Sequence, residues 1–161
     1  MSPIGTEDVT RKLWLPALAA LPAEELASAV NPLLAGYELE HQALPEDGLG
    51  LLSIRDGAWG ETFYLGEFPV AAAHVLLRNA QGQEYQGAAQ YMGDRVNKAV
   101  HMAVCDAVLA YDLPEKPAVL QLVNTGRELR KSEADRRMTI LSRTRVDFDL
   151  LSTDQGGNDV Y

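Results

Sequence analysis

The sequence predicts an α+β fold: an antiparallel β-meander of about five to six strands with helices packed on it, an N-terminal helix pair and a C-terminal basic helix. Three observations predict it. From Val96 the apolar positions Val96, Ala99, Val100, Ala103, Val104, Ala107, Val108 and Tyr111 recur at i, i+3, i+4 and i+7, the period of an amphipathic helix. Between Tyr37 and Met92 the period is that of strands, joined by turns too short for anything but antiparallel neighbours. Behind Thr125-Gly126-Arg127-Glu128, which has the spacing of a capping box, a charged segment returns to helix.

In chain order, Thr6 followed by Glu7 and Asp8 predicts a helix start, with acids meeting the positive end of the dipole. That helix runs to about Ala20, with a kink or a later start at Pro16. Pro22 opens a second helix that ends near Val30, because Asn31 precedes a proline, and the two should lie antiparallel. Strands are then expected at Tyr37–His41, Leu49–Arg55, Glu61–Leu65, Val70–Arg78, whose alanines leave helix open, and Gln83–Met92. Asp94 is the expected cap of the central helix. Its Ala and Val stripe suits close approach to a sheet, while Met102, Cys105 and Leu109 on the other side call for a second element or subunit. The apolar run Ala118–Val123 reads as a sixth, buried strand. A basic helix from Arg127 follows, with only a thin stripe of Leu129, Ala134, Met138 and Leu141. The expectation is a single domain over 1–150 and a mobile tail over 151–161, where Ser, Asp, Gln, Gly and Asn dominate.

Composition narrows the function. A chain of 161 residues can bury a core of its own, and its one cysteine, inside the central helical pattern, reads as a small buried hydrophobe. A net charge of −9 argues against a nucleic-acid partner. The charge is uneven, since positions 127–145 hold seven bases against three acids and leave −13 on the remainder. Such a run is ordinarily a solvated helix face, and otherwise docks on an acidic surface or faces an anionic ligand. Met1–Gly5 has no basic or apolar leader, and Pro16 and Pro22 interrupt the most apolar early stretch, so a soluble cytoplasmic protein is expected.

Catalytic signals are sparse. His41, His74 and His101 match no metal spacing with one another or with Cys105, no phosphate loop is present, and no serine sits on a nucleophile elbow. No catalytic, metal or cofactor-binding residue is therefore assigned. Trp59, at the tip of a glycine-bearing turn, reads as an interface anchor, the alternative being that it folds back on its own sheet. In Thr144-Arg145-Val146-Asp147-Phe148, Arg145 and Asp147 would point one way in an extended segment and Val146 and Phe148 the other. Trp59, Met102, Cys105, Leu109, Arg145, Asp147 and Phe148 are thus the candidate partner interface.

The segment from Gly93 through Lys98-Ala99 to Asp106-Ala107, the Arg145-Val146-Asp147-Phe148 ending, the Trp14 helix and the Gly60-Glu61-x-Phe63 strand start together resemble the PhnG subunit of bacterial carbon-phosphorus lyase. The resemblance covers nearly the whole chain and implies phosphonate catabolism. It implies work beside PhnH-, PhnI-, PhnJ- and PhnK-type subunits, with a PhnL type for the first step, in which an alkylphosphonate displaces adenine from ATP. The product of that step is a ribose 1-alkylphosphonate 5-triphosphate. ATP would be a substrate of the complex and no cofactor would belong to this chain alone. A non-catalytic subunit, homodimeric within a transferase assembly, is expected; a free-standing small-molecule-binding module or an independent small enzyme is the alternative.

Overall fold

The structure, a computed structural model, describes residues 11–143. Helix α1 (Arg11–Ala20) runs through Pro16, and α2 (Ala23–Val30) starts on Pro22, whose carbonyl accepts the Leu26 amide at 3.0 Å. The expected break at Asn31-Pro32 is a 3-10 turn, Asn31–Gly36. Between α1 and this second run the chain bends through 118°, short of the antiparallel pair expected.

Strands β1 (Tyr37–Arg55), β2 (Thr62–Asn79) and β3 (Glu84–Met92) form an antiparallel sheet in the order β1-β2-β3. Among the described residues three strands replace the five to six expected. The gaps expected between those strands, which hold Pro45, Gly48, Gly66 and Pro69, are irregularities inside one long hairpin, since Gly48 pairs with Val70, Leu49 with Pro69 and Leu52 with Gly66. Leu44 and Pro45 fall in a register shift of β1, where the missing proline N–H leaves no gap in the ladder. The Pro69 carbonyl accepts the Gly93 amide just past the end of β3, so its nitrogen looks toward the side where the third strand has stopped.

The central helix α3 (Val96–Ala110) lies across the sheet, facing Ala71, Ala73, Val75 and Leu77 of β2. Contact is closest at Gly87, where an added Cβ would stand 2.0 Å from the Ala103 carbonyl oxygen. Arg95, and not Asp94, occupies the cap position, and no side chain caps there; Tyr91 Oη instead accepts the Arg95 amide and donates to its carbonyl, each at 3.1 Å. Behind α3 lie α1, α2 and the first half of α4 (Lys116–Arg143).

Helix α4 corrects two expectations at once. Ala118–Val123 lies in its first two turns and not in a strand, and Thr125 is an interior residue whose hydroxyl donates to the Gln121 carbonyl at 3.1 Å. A six-residue apolar run fits a buried strand or a buried helix equally well, and burial of Val119 and Val123, four apart, settles it as helix. Pro117 stands in the first turn, where its missing N–H costs nothing. The residues of the expected helix start at Thr6, the Thr144–Phe148 segment and the 151–161 tail lie outside the described residues.

Candidate functional site

Among the described residues the buried charged groups, Asp106 and Lys98, are committed to holding helices. Asp106, fully buried, accepts Arg11 Nε at 3.0 Å, Arg11 Nη2 at 2.7 Å and the Ala88 amide at 3.2 Å, tying α1 to α3 and satisfying an N–H of edge strand β3. Lys98 Nζ donates to the Ala19 and Leu21 carbonyls at 2.6 and 2.7 Å, closing the C-terminus of α1. Burial first, and the charge of Arg95 second, lower the pKa of this lysine. A surface hollow of about 510 Å³ beside it is lined by Glu24, Asp94, Arg95, Lys98 and His101. Its cations are already taken, because Arg95 pairs with Glu24 at 2.5 Å and Lys98 with the two carbonyls. Among the described residues no group of three His, Cys, Asp or Glu is placed to hold a metal ion.

Unsatisfied surface lies elsewhere. Strand β3 pairs with β2 only over Val70–Arg78, so beyond Gly48 and Val70 the β1-β2 hairpin continues as a two-stranded arm. Asp56 builds its tip: the carboxylate accepts the Ala58 amide at 3.2 Å and the Trp59 amide at 3.0 Å, and the Asp56 amide donates to the Glu61 carbonyl at 2.8 Å. That fixed turn holds Trp59 in solvent, 86% exposed. Register puts Leu49, Leu51 and Tyr64 on the helix side of the sheet plane and Leu52, Ile54, Phe63 and Phe68 on the reverse. Apolar side chains on both faces mark a strand pair meant to be covered on both. Nine large hydrophobic residues between Leu44 and Leu65 are exposed, and full burial of each would contribute roughly 1.5 to 3 kcal/mol. Such a concentration on one element marks an interaction site.

The second such element is α4. Its first half is anchored by Val119, Val123 and Gly126, and from Arg127 to Ser142 every residue is exposed, including Leu129, Met138, Ile140 and Leu141.

Of the sequence-derived interface residues, Trp59 stands free at the arm tip, while Met102 and Cys105 are 0% exposed and Leu109 is 3% exposed. Those three are covered by this chain's own helices and belong to its core, so the second element expected on that side is this chain's own and their reading as partner interface is corrected. Burial, with the neighbouring Asp106 second, pushes the Cys105 thiol up to about 12. Arg145, Asp147 and Phe148 lie outside the described residues.

The model of the family described as phosphonate metabolism protein PhnG matches residues 9–152, nearly the whole chain. The chain belongs to the PhnG family. It therefore has a role in phosphonate metabolism, as the resemblance implied. No curated protein matches it. The match spans every described element of this PhnG-family chain, including the arm and the projecting half of α4.

Sequence reasoning singled out Trp59 but missed the arm beneath it. A signal was present: with β1 and β2 read as one hairpin of 19 and 18 residues, the nine residues of β3 can flank only half of it. Splitting each long strand at its proline and glycines hid that mismatch.

Proposed function

We propose that this chain is a non-catalytic subunit of the carbon-phosphorus lyase core complex. In this reading it is required, with PhnH-, PhnI- and PhnL-type partners, for making ribose 1-alkylphosphonate 5-triphosphate from ATP and an alkylphosphonate with release of adenine. PhnJ- and PhnK-type subunits would join the same assembly, this chain would be present as a homodimer, and the setting would be the cytoplasm. Family membership over residues 9–152 carries the reading. The committed interior charges and the exposed apolar arm support a role in assembly rather than chemistry. Among the described residues no single helix is long and apolar enough to cross a membrane.

The test is to co-express the chain with PhnH-, PhnI- and PhnL-type subunits and to measure adenine release from ATP and methylphosphonate. Omission of this chain is expected to abolish the reaction, and the purified chain alone is expected to release none. Adenine release at enzymic rates by the chain alone, or full activity without it, would overturn the proposal.

A further inference from the structure

We propose that the hairpin arm of one copy packs against the projecting half of α4 of a second copy, reciprocally about a two-fold axis. The inference rests on the homodimer in the reading above and deepens it by naming which surfaces of this chain meet.

Charge is the first argument. The arm beyond Gly48 and Val70, residues 49–69, carries the acids Asp56, Glu61 and Glu67 against the single base Arg55, with Glu46 and Asp47 just below its base. Residues 127–143 of α4 carry six bases against three acids. Among the described residues the only ion pair within that half of α4 is Arg137 with Glu133, at 2.9 Å, which leaves Arg127, Arg130, Lys131 and Arg136 for an outside partner. Opposite fields of this kind steer two surfaces together and fix their register.

Apolar surface is the second argument. Thirteen of the large hydrophobic residues exposed on the described chain fall on these two elements, nine on or at the base of the arm and four on α4. Each element lacks what the other supplies. The arm is a two-stranded ribbon, marginal alone in water, with apolar side chains on its helix side at Leu49, Leu51 and Tyr64. The free half of α4 is a helical stretch of a length that is marginal without packing, and it carries a broken apolar stripe. Their reach also matches: seventeen helical residues span roughly 25 Å, and the eight-residue strands of the arm about the same.

Placement is the third. Helix α4 begins where Tyr37 Oη donates to Glu115, passes Ala17 at Gly126, and runs on beyond Ala20, beside the end of α3 that holds Lys98. The arm leaves the sheet where β3 ends at Met92, close in sequence to that same end of α3. Both prongs thus leave the core at one end, so a two-fold axis there brings each arm onto the other copy's helix. A closed pair of this kind uses both surfaces twice and leaves neither open for filament growth.

The experiment uses the full chain. Glu61→Lys with Glu67→Lys on the arm, and separately Arg127→Glu with Arg130→Glu on α4, are each expected to raise the dimer dissociation constant by about tenfold or more in sedimentation equilibrium. Mixing the two reversed variants is expected to restore a heterodimer through one repaired contact. Cross-linking gives an independent readout, because the only native thiol is buried in the core. Tyr64→Cys and Arg130→Cys, at exposed positions in differently tagged copies, should yield the mixed arm-to-helix disulfide on mild oxidation. A wild-type monomer at tens of micromolar would overturn the proposal. So would arm-to-arm links alone, arm-to-helix links confined to one chain in the doubly substituted protein, or a dimer indifferent to both reversals. Removal of residues 144–161 should leave the dimer intact; its loss would assign the arm to that segment instead.

Discussion

Cys105 shows how a single position takes its chemistry from its surroundings. Its thiol is held up to about 12 by burial, so almost no thiolate exists at neutral pH. A disulfide reagent should leave the native chain unlabelled for hours and take up one equivalent once the chain is unfolded in denaturant. Tyr37 is perturbed in the same direction. Burial, reinforced by its hydrogen bond to Glu115 at 2.9 Å, raises the phenol from 10.0 to about 12. An unfolded chain gives up this proton near 10 and the folded chain near 12, so the stabilisation is complete below pH 10 and is lost as pH rises through 12. Tyr37→Phe should cost roughly 1 to 2 kcal/mol at pH 7, a difference that closes above pH 10 in denaturant titrations. At His101 the sign is opposite. Its Nε2 lies 3.1 Å from Asn31 Oδ1, its Nδ1 is buried without a partner, and burial lowers its pKa below 6.5. The unfolded state therefore binds the proton first, and stability falls as pH drops below 6.5. His101→Asn should flatten that acid limb of the melting curve.

Among the elements, the junction of α1 and α4 depends on one missing side chain. A Cβ on Gly126 would stand 2.0 Å from the Ala17 carbonyl oxygen, so the two helices touch backbone to backbone. In an exposed helix Gly→Ala stabilises by up to about 1 kcal/mol. Here Gly126→Ala should destabilise by roughly 1 to 3 kcal/mol through overpacking, with the sign of the change in urea midpoint as the measurement. The arm is the opposite case, an element the core does not need. Because β3 pairs only with Val70–Arg78, replacing residues 50–67 with a two-residue Asn-Gly turn should leave the melting temperature within a few degrees of wild type. The same deletion should abolish self-association and capture of partner subunits. A collapse of the melting temperature would place the arm in the core after all.

At the scale of the whole molecule, the core is one helix sandwiched between a sheet and three others, and two prongs extend from it. The expectation of helices on an antiparallel sheet held, and so did the positions of α2, β3 and α3 to within a residue or two. Those segments announce themselves locally, by a proline at a first turn, by alternation between turns, and by a 3.6-residue period maintained over four turns. The number of strands did not survive, because Pro45, Gly66 and Pro69 act as terminators only when no neighbouring strand carries the ladder past them. The α4 start failed for a related reason, since Thr125-Gly126-Arg127-Glu128 is a capping box in isolation and a helix interior when Gly126 must meet Ala17.

The sequence by itself determined the fold class, the central helix with its sheet-facing stripe, and membership of the PhnG family, which rests on residue identities along the chain. Which hydrophobic residues are core and which are surface was decided only by tertiary structure. Met102, Cys105 and Leu109 look as exposed in the linear pattern as Leu51 and Tyr64 do, yet the first three are sealed by α1, α2 and α4 and the other two stand in water. Burial is a property of what lies opposite a side chain, and for these residues the opposing elements are distant in sequence, so no local period encodes it.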